Sequence, residues 1–297
     1  MKALSRDLKK KGLKVRLEEP LWRYTTVRVG GPADLMAYPE TLEEVLELWE
    51  FSRRQGLRIF WLSGGSKVLF ADAGFRGVVV NLRGLKGVVE LSSGHLGVMC
   101  GTPVAVLTAY GLKRGFSGTE FLAGVPATVG GAIMMNAGAF GEEFGDLVES
   151  VTMLTPEGLR EYSGKDLFGY RTFRGPSGVV LSARLRLRPR DPEEVRARVR
   201  DFLARRRATQ PLGRPSFGCA FKNPPEGPAA GELLEAAGLK GFRRGEAMIS
   251  SKHANFILNL GRARAEDIRA LMEEARERVQ ARFGVELEPE VRIVAET

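Results

Sequence analysis

Between Glu120 and Glu142 the chain carries no charged side chain, and from Gly124 to Gly141 it reads GVPATVGGAIMMNAGAFG. A regular helix interior or a central strand avoids such a run, because each glycine loses more backbone freedom on folding than alanine and brings nothing to pack. The stretch therefore predicts a purpose other than core packing. It restricts the chain to folds in which nearly bare backbone is presented to something.

At 297 residues, the chain is long enough for two domains or one large one. An apolar fraction of 43% with 27% charged residues is that of a globular protein and excludes disorder. Cys100 and Cys219 are too few for a disulfide framework and lack zinc-site spacing. With only His95 and His253 as histidines, no metal site and no Ser-His-Asp hydrolase is expected. The N-terminal MKALSRDLKKKGLKV lacks the apolar segment of a signal peptide, and no window is long and apolar enough to span a bilayer, so a cytoplasmic protein without a membrane partner is expected. The formal charge of +9 is spread along the length with no interleaved aromatic platform. It argues for no nucleic-acid partner and is met equally by a small polyanionic ligand or a solvated arginine-rich surface. Few Asn and Gln beside many Arg, Glu and Pro fit a heat-adapted composition.

Thr41 with Glu44 predicts a helix start, apolar residues at helical spacing continue it, and Gly56 closes it. LRIFWL, then SGGS, then GVVVNL give strand, loop and strand. VTMLTPEGLREY reads as two strands about a turn, and GVVLSARLRLRP alternates from Ser182. Asp191-Pro192-Glu193-Glu194 starts a second helix, running to about Thr209, and the break before it is the candidate domain boundary. Beyond it come a short helix GELLEAAG, strands near AMIS and ANFILNL, a helix from Ala265 to Phe283 and a final strand VELEPEVRIV.

Two glycine clusters stand out: Gly64-Gly65-Ser66 after a strand, and the opening run. Successive backbone N–H groups in a turn form an anion-binding nest, although SGGS by itself reads as a tight turn. Neither G-x-G-x-x-G nor G-x-x-x-x-G-K-[ST] is present, so Rossmann and Walker sites are not supported. The long run offers backbone donors and a flat wall of the kind a large planar cofactor with a diphosphate needs. GTEFLAGVPATVGGAIMMNAGAFGEE, Gly118 to Glu143, resembles the flavin-binding signature of the UDP-N-acetylenolpyruvoylglucosamine reductase family. TTVRVGGPAD, FGYRTF, FGCAFKNP, ISSKHANFILN and LEPEVRIV agree with it in order, so the resemblance covers nearly the whole chain.

The resemblance implies an α+β fold: a two-part FAD-binding domain of vanillyl-alcohol-oxidase (PCMH) type over residues 1–190, with lobes of about 1–80 and 81–190, and a smaller α/β substrate-binding domain over 191–297. It implies noncovalent FAD, NADPH as hydride donor and a UDP-sugar substrate whose enolpyruvyl ether becomes a lactyl ether in peptidoglycan precursor synthesis. Cofactor contacts then fall on Ser63, Gly64, Gly65, Ser66 and Lys67, and on Gly124, Pro126, Ala127, Thr128, Gly130, Gly131, Asn136, Ala137 and Gly138. Ser63 stands where glycine is usual, and Lys67 where asparagine usually follows GGS.

Hydride addition to the enolpyruvyl group leaves negative charge beside a carboxylate, which must be stabilised and then protonated at carbon. Arg171 matches the family's active-site arginine, whose fork suits a carboxylate. Glu290 matches its glutamate. As a strand, the C-terminal segment crowds Glu286, Glu288 and Glu290 on one face, which predicts a raised carboxyl pKa there and a protonated Glu290 donating to the enolate. Cys219 stands where the family commonly has the proton-donating serine. A thiol is the stronger acid and also open to oxidation, and water is the alternative proton source. Tyr170, Lys222, Asn223, His253 and Asn255 are the substrate-contact candidates, with a structural hydrogen bond equally open to His253. Forty-eight positions separate Arg171 from Cys219, which places the chain in the shorter, type II branch. The rival readings are another FAD-dependent oxidase or dehydrogenase of the superfamily, and a basic binding module without catalysis.

Overall fold

Local signals fix the helix that the sequence places after Thr41. In the computed structural model, which describes residues 1–294, α1 spans Lys2–Lys10 and α2 spans Leu42–Arg54. Thr41 Oγ1 accepts from the Glu44 N–H at 3.2 Å while Glu44 Oε2 accepts from the Glu40 N–H at 2.6 Å, so the two side chains together set the entry of α2. Gly56 follows its end with φ +61°. Val45, Leu48 and Phe51 bury the inner face of α2. Beneath lies a four-stranded sheet in the order Val15–Pro20, Pro32–Ala37, Phe75–Asn81, Ile59–Leu62, antiparallel in the first pair and parallel thereafter. This is the first lobe.

The second lobe is an antiparallel five-stranded sheet in the order Gly158–Ser163, Val148–Thr155, Val179–Arg186, His95–Met99, Val88–Ser92. In the central strand, Val180, Ala183 and Leu185 face a core shared with α3 (Val104–Arg114) and α4 (Val129–Met134). Val179 and Leu181 face the other way, into the core under α2. Packing on both faces explains why the strand is apolar without alternation until Ser182.

Helix α5 (Pro192–Thr209) leads to the third unit, which contains α6 (Ala230–Ala236) and α7 (Ala265–Phe283). Its antiparallel sheet has the order Ser216–Cys219, Phe256–Asn259, Ala247–Ile249, Arg243–Arg244. Ile268, Leu271, Met272, Ala275 and Val279 turn one stripe of α7 into its core.

Four features depart from the sequence reading. The opening glycine run is partly core: Val129, Ala132 and Ile133 are buried in α4, and a Cβ on Gly130 would lie 2.8 Å from Cys100 Cβ, so that glycine permits a close helix-to-strand contact. Helix α5 starts at the expected cap, with Asp191 accepting from the Glu193 N–H at 2.7 Å, but its Phe202 packs into the second lobe. The change of core therefore falls after Thr209 and not before Asp191. Of the final strand only Arg292–Val294 forms, and it pairs in parallel with Val68–Phe70 of the first lobe. Conversely, Val27 and Val29 from the first lobe pack into the third unit, where Asn259 Nδ2 donates to the Val27 carbonyl at 3.0 Å.

Candidate active site

Leaving the strand Ile59–Leu62, the chain makes the Ser63–Lys67 loop against the start of α4. Gly65 has φ +66°, and a Cβ there would lie 2.0 Å from the Tyr24 carbonyl, so only glycine fits. Arg83 sits behind the loop. Its guanidinium donates to the carbonyls of Ser63 at 3.3 Å, Gly64 at 2.5 Å and Tyr24 at 3.3 Å, and the Gly65 carbonyl accepts from the Thr26 N–H at 3.0 Å. In a trans peptide the N–H points opposite to the C=O. Pulling three successive carbonyls one way therefore turns the N–H groups of Gly64, Gly65 and Ser66 the other way. Among the described residues no acceptor meets those three N–H groups. They are the nest that a diphosphate would satisfy.

In front of the loop is a cleft of about 360 Å³ lined by Ser63, Gly64, Gly65, Ser66, Lys67, Ala127, Thr128, Gly130 and Gly131, with Met134, Met135 and Arg292. Ser63 and Thr128 hydroxyls hydrogen-bond across it. The other expected cofactor residues, Gly124, Pro126, Asn136, Ala137 and Gly138, lie outside this lining. Asn136 is buried with φ +38°, and its side chain is committed to Glu143 at 2.7 Å, the Gly169 carbonyl at 3.0 Å and the Gly145 N–H at 2.9 Å. It braces the loop that carries Arg171.

The second half of the site comes from the other end of the chain. Residues 288–290 lie beside 220–222, with the Lys222 N–H donating to Glu288 O at 2.9 Å and the Glu290 N–H to Ala220 O at 2.8 Å. The Arg292 N–H donates to Lys67 O at 3.0 Å. Glu290 and Cys219 are thereby brought to the edge of the glycine loop. Lys67 Nζ lies 2.9 Å from Glu290 Oε1 and donates to the Cys219 carbonyl at 2.7 Å. Lys67, placed by the resemblance among the cofactor contacts, thus has its ammonium between Glu290 and the Cys219 carbonyl. Arg171 sits at φ +53° in the turn of a small hairpin, a conformation an arginine adopts only when its surroundings impose it. Its Nη1 donates to Asn136 O at 3.5 Å and its Nε is 3.9 Å from Glu290 Oε2. The Tyr170 ring lies beneath its guanidinium at 5.2 Å.

The expected crowding of carboxylates does not occur. Glu286 pairs with Arg276, Glu288 with Lys222 and Glu290 with Lys67, so each has its own cation. Burial pushes the Cys219 thiol up, opposed chiefly by the charge of Lys67. This favours the neutral thiol over the oxidation-prone thiolate that its sequence position suggested. Arg206, which the sequence reading passed over as part of an arginine cluster, is buried close enough to Cys219 to act on the thiol, and donates to the Phe121 carbonyl at 2.9 Å. Asn255 is scaffold: its Oδ1 accepts from the N–H groups of Ala220 and Phe221 at 3.1 and 2.9 Å, and its Nδ2 donates to Phe221 O at 2.9 Å. Asn223 accepts from the Ala230 N–H, and His253 Nδ1 accepts from the Asn255 N–H at 3.3 Å.

A two-lobed glycine-lined cleft, with Lys67 and Arg171 from its own lobes meeting an acid from the C-terminal segment, has the form of a cofactor-binding active site, and the match to an FAD binding domain makes that class an FAD-binding oxidoreductase of PCMH type. The FAD binding domain profile matches residues 33–161, and the profile of the UDP-N-acetylenolpyruvoylglucosamine reductase C-terminal domain matches residues 210–294. UDP-N-acetylenolpyruvoylglucosamine reductases of Syntrophus aciditrophicus and Rubrobacter xylanophilus are 42% and 43% identical over 95% of this chain, covering 92% and 95% of their own lengths. The crystal structure of UDP-N-acetylenolpyruvylglucosamine reductase from Thermus caldophilus superposes with a TM-score of 0.78 at 39% identity, over 95% of this chain and 98% of that one. The chain belongs to the UDP-N-acetylenolpyruvoylglucosamine reductase family. No helix among the described residues is long and apolar enough to cross a membrane.

Proposed function

We propose that this enzyme uses NADPH to reduce the enolpyruvyl ether of UDP-N-acetylglucosamine enolpyruvate, giving UDP-N-acetylmuramate for peptidoglycan synthesis in the cytoplasm, and that it is of the type II branch. The observation that carries the reading is the meeting of Lys67, Arg171, Cys219 and Glu290 beside the cleft. Residues 63–67 and 127–131 would hold FAD, with the N–H groups of Gly64, Gly65 and Ser66 toward its diphosphate. Bound FAD supplies the hydride, taken from NADPH. Arg171 receives the substrate carboxylate, and with Lys67 it offsets the charge that develops as the enolate forms. Glu290, a single carboxylate between the two cations, orients both. Cys219 gives its thiol proton to the substrate carbon. Tyr170, exposed at the tip of the Arg171 hairpin, together with Lys222, Asn223 and His253, would border the sugar nucleotide.

Incubating the purified enzyme with NADPH and the enolpyruvyl nucleotide, and weighing the nucleotide product, tests this. A product two mass units heavier, formed only when NADPH is consumed, is expected. NADPH consumption coupled to oxygen alone, with the nucleotide unchanged, would favour an oxidase of the same superfamily.

A further inference from the structure

Two of the positions where the sequence departs from its family's common pattern, Lys67 and Cys219, are remote in the chain and in direct contact in the fold. Lys67 Nζ donates to the carbonyl of Cys219 itself at 2.7 Å and holds Glu290 at 2.9 Å. A Cβ on the neighbouring Gly218 would lie 3.5 Å from the same ammonium. The lysine side chain is 22% exposed and the Glu290 side chain 10%, so little water screens the group.

We propose that Lys67 and Cys219 work as a pair, in which the Lys67 ammonium enables the half-buried thiol to act as proton donor and holds the thiolate left behind until solvent reprotonates it. The proposal rests on the protonation role given to Cys219 above. In the step, the S–H bond breaks and its proton bonds to the enolate carbon through the enolate's electron pair. Sulfur keeps the S–H electrons, and a solvent proton later restores the thiol. Lys67 keeps its own proton throughout.

Four charged groups act on the thiol, and they differ in how they are held. Lys67, Arg171 and Arg206 favour the thiolate, and Glu290 opposes it, against the larger effect of burial. Arg171 donates to the Asn136 carbonyl, and Arg206 to the Phe121 carbonyl and, at 3.4 Å, to Gln210. Of the three cations, Lys67 is the one hydrogen-bonded to residue 219, and its effect on the thiol is the largest of the three. Being a point charge on a flexible stem, it can follow sulfur as the proton leaves.

The test uses the FAD-loaded enzyme and begins with alkylation of Cys219 by iodoacetamide as a function of pH. Cys100 is fully buried and serves as the silent thiol. Removing a positive charge disfavours the thiolate, so Lys67→Met is expected to move the alkylation midpoint up by about one pH unit. Lys67→Arg should restore it to within a few tenths. An unmoved midpoint in Lys67→Met, with flavin content and melting temperature as in the parent, overturns the pairing. Lys67→Gln provides the same comparison should the methionine variant lose flavin. The second readout is rapid-mixing kinetics. Lys67→Met should slow reoxidation of the reduced enzyme by the enolpyruvyl nucleotide about tenfold. In a Cys219→Ala background, where no side-chain proton is transferred and no side-chain anion is left to hold, the same change should cost less than threefold. Equal losses in the two backgrounds overturn the pairing. A shifted alkylation midpoint in an enzyme that does not turn over the nucleotide at all would instead overturn the proposed reaction.

Discussion

Gly131→Ala separates a glycine kept for a cofactor from one kept for the protein. Gly131 lies inside α4 and lines the cleft, and a Cβ built on it would meet nothing closer than Ser63 Oγ at 3.5 Å and Thr128 Oγ1 at 3.6 Å. Those are ordinary contacts, so the protein alone loses nothing and gains up to about 1 kcal/mol of helix propensity. The apoprotein should therefore melt at the same temperature or up to about 3 °C higher. In the loaded protein the methyl projects into the cleft wall, and overpacking of a rigid site costs about 1–3 kcal/mol. FAD affinity should fall between roughly 5-fold and 150-fold. Titrating apoprotein with FAD by flavin fluorescence gives the affinity, and thermal unfolding with and without FAD gives the two stabilities. Gly130→Ala is the contrast: its Cβ would lie 2.8 Å from Cys100 Cβ, and it should destabilise apoprotein and loaded protein alike. Undiminished FAD affinity in Gly131→Ala would refute the cradle as built from this face of α4.

Arg83→Met removes the fork that turns the Ser63 and Gly64 carbonyls away from the cleft. Fluorescence titration should show FAD affinity reduced about tenfold or more, with Arg83→Lys recovering little because one ammonium cannot reach both carbonyls and Tyr24. Cys219→Ser should keep substantial turnover, whereas Cys219→Ala should lose delivery of solvent hydrogen to the new carbon–hydrogen bond while NADPH still reduces the flavin. Deuterium incorporation followed by mass spectrometry in single turnovers distinguishes the two. Burial, reinforced by Lys240, holds His253 below its ordinary 6.5. The unfolded chain then binds that proton more readily, so stability is full above about pH 6.5 and declines as pH falls through it toward the lower folded value. Denaturant midpoints between pH 8 and 5 should show this decline flattened in His253→Gln.

What the sequence revealed was local. Thr41 with Glu44 and Asp191 with Pro192 start α2 and α5 because caps act within one turn. The pairing of Val148–Thr155 with Gly158–Ser163 was legible for the same reason. What stayed hidden depends on residues far apart in the chain. Gly130 is dictated by Cys100, Phe202 of α5 by a core assembled before it in the chain, and residues 288–290 by the strand at Cys219 that interrupts their expected periodicity. Arg83 gives no sign of its role, since an arginine after a strand is ordinary until the carbonyls it gathers are known. Family resemblance pointed to Arg171, Cys219 and Glu290, which the fold brings to one place. Only the fold showed that Lys67 is the group joining the last two.

The most direct test of the account is the visible absorbance of the purified enzyme under anaerobic conditions. The account predicts the spectrum of bound flavin, bleaching by NADPH, and full recovery on adding one equivalent of the enolpyruvyl nucleotide. A protein that takes up no flavin, or a reduced flavin whose colour returns with oxygen and never with the nucleotide, would contradict it.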